Sequence, residues 1–288
     1  MNPSDLKLDR RQFLSGAGML FGSAALASLA ACGGSSDSAD AGSASAAAFD
    51  GTFVLGFDQE FPPYGYIGDD GEPTGFDIDL AQAVCDMEGW TFQPEPIDWD
   101  SKDAMLNSGQ ITCIWNGFTI EGREDDYAFT DAYMNNSQVV VVLADSGISS
   151  LADLAGKNVL TQADSAAYNL LVEGGDQADL GATFANLETI GDYNTAFMQL
   201  ETGACDAVAV DYPVAIFNIG DKTDTFQILE EQLNTEHFGV GFALGNEDLA
   251  AQVEADLQQL DADGTVEEIC EKYADQGVSY DGWCLPKA

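Results

Sequence analysis

The chain has 288 residues and a formal net charge of −41, from 50 Asp and Glu against 9 Lys and Arg. Such acidity argues against nucleic acid and anionic membrane surfaces as partners, because both require a basic patch. His237 is the only histidine and no Cys-x-x-Cys pair occurs, which argues against a zinc site and a Ser-His-Asp triad. No cofactor and no metal is predicted.

The first 48 residues are predicted to be an export signal and a tether. Arg10–Leu14 (RRQFL) is typical of a twin-arginine export signal, and an apolar run follows it. The run ends in Leu29–Cys32 (LAAC), which resembles a lipobox whose cysteine, Cys32, is lipidated and becomes the mature N-terminus. A transmembrane anchor is the alternative, but the run is short and contains three glycines. Residues 33–48 carry Gly, Ser, Ala and Asp and are predicted to be a flexible linker.

The folded part is predicted to begin near Phe49 and to alternate strands with helices. The predicted strands are Thr52–Phe57, Trp90–Ile97 and Ile111–Trp115, and the predicted helices are Phe76–Met87, with Asp77 as a possible cap, and Ser101–Asn107. This alternation predicts an α/β fold with a parallel sheet. Parallel sheets bind ligands at the carboxyl ends of their strands, where Asp58, Trp99 and Asn116–Thr119 all lie.

The segment Asn116–Arg123 contains the only arginine beyond the export signal. A guanidinium suits a carboxylate or a phosphate, because its planar donors match two oxygens at once. A surface arginine paired with the acidic residues Glu124–Asp126 is the alternative. The position just past a strand end favours a ligand clamp.

A second α/β unit is predicted beyond residue 138. Its first run, Gln138–Leu143, is β-branched and could cross between two lobes. The next strand ends at Thr161–Ser165, where the start of a helix presents free backbone N–H groups that can receive a carboxylate. Asp211 lies at the carboxyl end of a later strand. The remaining predicted strands are Lys157–Leu160, Ala207–Val210 and Phe238–Leu244, and the helices are Ser150–Leu154, Ala166–Val172, Asp192–Glu201, Leu249–Leu260 and Val266–Tyr273.

Six motifs in order resemble the polar amino acid-binding proteins of ABC importers, whose relatives bind glutamine, histidine, cystine or basic amino acids. They are Asp58–Tyr64, Gly75–Ala81, Asn116–Arg123, Ser150–Lys157, Cys205–Asp211 and Asp261–Thr265. The resemblance covers about residues 50–275. It implies a type II periplasmic-binding-protein-like fold with two α/β lobes joined by two hinge crossover strands. Lobe 1 would comprise residues 50–135 plus 237–288, and lobe 2 residues 138–233.

The resemblance also implies how the charged ends of an amino acid would be held. Arg123 would clamp the α-carboxylate, helped by Thr119 and the backbone N–H near Ser165. Asp211 would take the α-ammonium, together with the backbone near Gly117. The cation and the anion would then lie on opposite lobes, so that closure of the hinge completes the site.

The ligand side chain would meet a second group of residues. Phe61 and Trp99 would stack on it, Asp58 and Asn116 would meet its polar end, and Thr161 would contribute from lobe 2.

Two positions depart from the family pattern. The loop between Ile120 and Arg123 is one residue shorter than the common form, yet no other arginine can serve as the clamp. Ala163–Ser165 replaces a common Gly-Ser-Thr turn. Its acidic residue, Asp164, could oppose a ligand carboxylate, but capping of the following helix is favoured.

The function that the resemblance implies is capture of a polar L-amino acid outside the cell by a monomeric, lipid-anchored protein that delivers it to an ABC permease. Asp58, Glu60 and the overall acidity favour a basic or neutral side chain over glutamate. A sensor lipoprotein that presents its ligand to a receptor is an alternative, and a dehydratase on the same fold is a weaker one. No enzymatic turnover is predicted.

The cysteines beyond Cys32 divide into two groups. Cys270 and Cys284 could form a disulfide outside the membrane, or could remain free thiols. The other three are predicted to be small buried residues: Cys85, Cys113 and Cys205.

Overall fold

The computed structural model describes residues 49–286 of the chain. The strands are β1 (Thr52–Asp58), β2 (Glu60–Phe61), β3 (Gly65–Ile67), β4 (Pro73–Thr74), β5 (Thr91–Ile97), β6 (Cys113–Ile114), β7 (Ala128–Phe129), β8 (Met134–Asn136), β9 (Gln138–Leu143), β10 (Asn158–Gln162), β11 (Asn186–Ile190), β12 (Ala207–Asp211), β13 (Phe226–Ile228), β14 (Glu236–Phe238) and β15 (Gly241–Phe242). The helices are α1 (Phe76–Glu88), α2 (Lys102–Asn107), α3 (Ala166–Leu171), α4 (Ala178–Gly181), α5 (Tyr193–Glu201), α6 (Tyr212–Ile219), α7 (Glu247–Asp263) and α8 (Thr265–Lys272). None of these helices is long and apolar enough to cross a membrane.

The first lobe is built on a five-stranded sheet in the order β5-β1-β6-β15-β7. β1 is parallel to β5 and β6, and β15 is antiparallel to β6 and β7. Phe53, Leu55 and Phe57 of β1 are fully buried, and each such side chain stabilises the fold by about 1.5–3 kcal/mol. Helix α1 packs its buried side against this core and ends at Gly89, whose left-handed φ of 71° a glycine adopts without strain. The predicted helix-strand alternation is therefore present here.

The second lobe is built on a sheet in the order β11-β10-β12-β9-β13. β10 is parallel to β11 and β12, whereas β9 is antiparallel to β12 and β13. The predicted crossing of Gln138–Leu143 between lobes is wrong, because that run is β9 itself. Its valines are buried on both faces of the sheet, which explains their uninterrupted apolar sequence.

The chain passes between the lobes along β8 and β14, which pair antiparallel with Asn136 opposite Glu236. The predicted single strand Phe238–Leu244 is divided into β14 and β15, because the chain leaves the hinge and joins the first sheet. Gly241 allows this passage: a Cβ there would lie 2.7 Å from the Phe118 ring. The backbone at Gly241 therefore lies closer to the Phe118 ring than a larger residue would allow.

The structure tests two expectations about the cysteines. Cys270 and Cys284 are not joined in the structure, so the possible disulfide is not formed. The Cys270 side chain is buried in the core, and the Cys284 thiol lies 3.5 Å from the Ala132 carbonyl oxygen. The expectation for Cys85, Cys113 and Cys205 agrees with the structure, because all three are buried.

Candidate functional site

The candidate site lies where strand ends of the two lobes face each other. The residues that line its cavity come from both sheets: Phe61, Trp99, Gly117, Thr119, Arg123, Gln162, Ser165, Ala166 and Asp211. They follow or end β1, β5, β6, β10 and β12. Seven of the ten predicted ligand-binding residues are in this set, and Gln162 and Ala166 are additions.

Arg123 supplies the cation of this cavity. Its guanidinium lies 4.9 Å from the centre of the Phe118 ring. One terminal nitrogen donates to the Thr119 carbonyl oxygen at 3.0 Å, and the other donates to the Asp164 carbonyl oxygen at 3.2 Å. The side chain is buried, and among residues 49–286 no carboxylate forms an ion pair with it, the neighbours Glu124–Asp126 included. A buried cation without a counter-ion is costly, so the site favours an anionic group beside it.

Asp211 supplies an anion from the other lobe. It ends β12 with its side chain buried, and one carboxylate oxygen accepts hydrogen bonds from the amides of Asn136 and Gln138, both at 2.7 Å. Burial, and next the negative charge of Glu236, raise the pKa of Asp211 to about 8. A cationic group at this place would offset both effects.

The aromatic residues predicted to stack on a side chain are both present. The Phe61 ring lies 6.1 Å from that of Tyr193 in the second lobe. The Trp99 indole packs edge-on against Phe118, at 5.6 Å between ring centres, and donates from Nε1 to the Asp164 carbonyl oxygen at 3.3 Å. Both rings border the cavity, so they can shape its apolar wall.

Asp58 lies beyond Trp99, in an adjoining cavity of about 390 Å³. Its carboxylate accepts from the Gln162 side-chain amide of the other lobe and from the Glu60 backbone N–H at 2.9 Å. Burial raises the pKa of Asp58 to about 6. The other carboxylates around this cavity are those of Glu60, Asp98, Asp100 and Asp192. The outer end of the cleft is therefore strongly acidic.

Asn116 and Thr161 do not line the central cavity, contrary to expectation. Asn116 Oδ1 accepts from the Asp58 backbone N–H at 2.5 Å. The Thr161 hydroxyl lies 3.1 Å from that of Ser165 and 3.5 Å from that of Tyr193. Both side chains are buried behind the lining residues and position them.

Asp77 does not cap α1, because Gly75 occupies the cap position and no side chain bonds there. Its carboxylate instead accepts from the Gly117 backbone N–H at 2.6 Å and from the Tyr133 hydroxyl at 2.9 Å. Gly117 has a φ of 57°, and a Cβ there would lie 3.0 Å from the Phe61 ring. Asp77 therefore holds the tight backbone turn that places Gly117 at the cavity wall. Burial raises the pKa of this carboxyl to about 7.

The favoured capping role of Asp164 is also wrong. The cap of α3 is Ser165, whose hydroxyl accepts from the Tyr168 backbone N–H at 3.1 Å. The Asp164 carboxylate instead forms an ion pair with Lys102 of the first lobe, a fully buried lysine that also lies over the Trp99 ring at 5.2 Å. Lys102 neutralises the acid that could have opposed a ligand carboxylate. Because these side chains touch across the cleft, the lobes are closed.

Sequence reasoning missed Lys102, Gln162 and a group of hinge side chains: Asn136, Gln138 and Glu236. Gln138 and Gln162 carried a signal in the sequence, since Gln138 begins the apolar run of β9 and Gln162 ends β10; the structure buries both almost fully. Amides in such places are hydrogen-bonded to specific partners.

Two α/β lobes, two hinge strands and a cleft lined by opposite charges define a type II, two-lobed solute-binding protein. The family model described as bacterial extracellular solute-binding proteins, family 3, matches residues 53–276. The chain belongs to this family.

Curated relatives agree with this membership. The chain is 29% identical over 226 residues to the L-cystine-binding protein TcyJ of Escherichia coli strain K12, covering 77% of this chain and 82% of the relative. It is 28% identical over 208 residues to the ABC transporter glutamine-binding protein GlnH of Bacillus subtilis strain 168, covering 70% and 73%.

Solved structures are similar over the same region. A substrate-binding protein of an ABC uptake transporter from Streptococcus pneumoniae, with bound histidine, has a TM-score of 0.75 and 32% identity, covering 80% of this chain and 95% of that one. An ancestral amino acid-binding protein described as a precursor of cyclohexadienyl dehydratase has a TM-score of 0.69 and 26% identity, covering 77% and 95%. The similarity is to amino acid-binding proteins.

Proposed function

We propose that this protein is the extracellular, membrane-anchored binding component of an ABC importer, and that it captures a polar L-amino acid with a basic or neutral side chain. Lobe 1 would comprise residues 50–135 plus 237–288, and lobe 2 residues 138–233. The division is supported by the two sheets and by the pairing of β8 with β14. The anchor would be a lipid on Cys32, which lies outside the described residues.

The observation that carries the proposal is the placement of Arg123 and Asp211 on one cavity. The first is a buried cation without a carboxylate partner, and the second is a buried anion without an ion pair within residues 49–286. An α-amino acid carries one group of each sign. Its carboxylate would bind Arg123 and Thr119 near Ser165, and its ammonium would bind Asp211 near Gly117.

The side chain of the ligand would extend between Phe61 and Trp99 toward Asp58. The carboxylates around the outer cavity favour a cationic or neutral end group and repel the negatively charged side chain of glutamate or aspartate. Asn116 and Thr161 would contribute indirectly, by holding the Asp58 backbone and the Ser165 hydroxyl in position.

Calorimetry with the twenty amino acids and L-cystine tests this function. Tight binding of one or a few basic or neutral amino acids is expected. Tight binding of glutamate or aspartate would contradict the proposed preference, and no binding of any amino acid would contradict the function. Loss of uptake of the same amino acid on deletion of the protein would separate transport from sensing.

The sensor alternative uses the same site, so only the partner protein distinguishes it. The dehydratase alternative is less favoured, because the similarity is mainly to proteins named for binding. It also requires a free acid or base beside the substrate, whereas the Asp58 carboxylate is bonded to Gln162 and Glu60.

A further inference from the structure

Four buried polar side chains meet where the hinge joins the second sheet: Asn136, Gln138, Asp211 and Glu236. The Asn136 amide donates to Asp211 Oδ1 and to Glu236 Oε1, both at 2.7 Å. The Gln138 amide donates to the same two oxygens, at 2.7 and 2.8 Å. Two carboxylates that share both of their amide donors lie close together, and the negative charge of Glu236 opposes ionisation of Asp211.

Backbone pairing brings this cluster together. Asn136 is opposite Glu236 in the ladder of β8 and β14. Gln138 is opposite Asp211 in the ladder of β9 and β12. Because each amide and its carboxylate are cross-strand partners, their proximity is a property of the fold.

The cluster has more hydrogen-bond acceptors than donors. Within residues 49–286, the amide oxygens Asn136 Oδ1 and Gln138 Oε1 are buried without a hydrogen-bond partner. Neither Asp211 nor Glu236 forms an ion pair in the same part of the chain. Buried acceptors that lack donors are costly, so this cluster favours a group that supplies hydrogen-bond donors and a positive charge.

The surroundings do not supply that charge. Thr119 donates to Glu236 Oε1 at 2.9 Å and Asn234 donates to its other oxygen at 2.8 Å, but both donors are neutral. The other titratable or charged groups that face the pair are Tyr64, Tyr193, Arg123, Glu121, Glu173 and Asp176. Arg123 is the only cation among them, and both of its terminal nitrogens donate to backbone carbonyls.

We propose that Glu236 is a specificity-determining partner of Asp211: the two carboxylates hold one proton between them in the free protein, and the ammonium of the bound amino acid replaces that proton. This inference rests on the proposed function, since it needs an ammonium beside Asp211. Glu236 would then select for a charged amine, because a neutral or acylated amine cannot replace the proton's charge.

The proton balance follows directly. The free pair carries one proton and one negative charge. The ligand arrives with its ammonium intact, the pair gives its proton to solvent, and the bound state has two carboxylates and one ammonium. Burial and Glu236 raise the pKa of Asp211 to about 8, so the proton is bound at pH 7 before the ligand arrives. Below pH 8 the affinity should rise about tenfold for each pH unit.

Calorimetry with L-arginine and L-glutamine at pH 7, in two buffers of different ionisation enthalpy, counts the protons released. We expect nearly one proton per ligand for the wild type and a smaller release for Glu236→Gln, in which burial still raises the pKa of Asp211 but the like-charged neighbour is gone. The affinity of the variant should rise less steeply between pH 6 and 7 than that of the wild type. Glu201→Gln, an exposed change elsewhere, should behave as the wild type.

Binding without proton release by the wild type, or equal release by Glu236→Gln, would overturn the inference and leave the proposed function intact. If neither amino acid binds and the panel above also fails, the function itself fails. The infrared carboxyl spectrum of the free protein then decides: a protonated-carboxyl band that is weaker in Glu236→Gln than in the wild type supports the shared proton, and an equal band overturns it.

Discussion

Replacing Arg123 with alanine tests the proposed ion pair between its guanidinium and the ligand carboxylate. The guanidinium is buried, has no carboxylate partner among the described residues, and borders the same cavity as Asp211. Removing one partner of a buried, hydrogen-bonded charge pair costs about 2–5 kcal/mol. At about 1.4 kcal/mol per tenfold change, the Kd should rise roughly 30- to 4,000-fold.

Part of this loss of affinity should come from weaker closure of the lobes. Arg123 joins the Thr119 carbonyl of lobe 1 to the Asp164 carbonyl at the start of α3, and alanine leaves both acceptors without this donor. Arg123→Lys keeps the charge but cannot hold two oxygens in one plane, so its affinity should lie between those of wild type and Arg123→Ala. This order separates the contribution of charge from that of geometry.

The assay is calorimetric titration with the best-binding amino acid of the panel, together with thermal unfolding of each free variant. Lys222→Ala is the control, because Lys222 is exposed and its ion pair with Glu201 is at the surface. It should leave the Kd unchanged. If Arg123→Ala stays folded and its affinity is within a few-fold of wild type, Arg123 does not bind the carboxylate.

Three further predictions concern the surroundings of the site. Because the pKa of Asp77 is raised in the folded protein, this group binds more protons in the folded than in the unfolded chain between about pH 4 and 7. The free energy of unfolding should therefore fall as the pH rises through this window, by up to about 1.4 kcal/mol per pH unit. Asp77→Asn should flatten the wild-type curve in urea titrations at several pH values, and an unchanged slope would contradict this. Asp164→Asn leaves the buried Lys102 cation with only its longer contact to Asp103, at 3.9 Å, whereas Lys102→Met leaves only a half-exposed carboxylate. Titrations should therefore show weaker ligand binding in the first variant than in the second; the reverse order would refute the account of closure. Gly241→Val should lower the thermal midpoint, because its Cβ would lie 2.7 Å from the Phe118 ring, and an unaltered midpoint would show that the ring moves at no cost.

The alternating helices and strands of the fold could be predicted because each one has a local signal in the sequence. Helix α1 has a single apolar face and a glycine at its end, and β1 is a buried apolar run. The path of β9 could not be predicted in the same way. A β-branched run such as Gln138–Leu143 fits either a central strand or a crossover, and only its pairing with β12 and β13 decides between them.

The cation of the candidate site could be singled out because basic residues are scarce in this chain. Arg123 is the one arginine beyond the predicted export signal, and its position after a strand made it the candidate clamp. Acidic residues are far too common for the same reasoning. Asp77, Asp164 and Glu236 are three of 50 acidic residues, and their roles depend on partners that lie 40 to 117 positions away in the sequence.

The hinge shows why those distant partners matter for function. Asn136 lies on β8 and Glu236 on β14, while Gln138 and Asp211 belong to the second sheet. Glu236, which one hinge strand places, therefore affects the electrostatic environment of Asp211, the proposed partner of the ligand ammonium in the second lobe. Any rotation about the hinge that separates Thr119 of lobe 1 from Glu236 also removes a hydrogen bond from this pair. Charge at the ammonium site and closure of the lobes are then coupled through the same four side chains, so ligand affinity and lobe position should change together when Glu236 is altered.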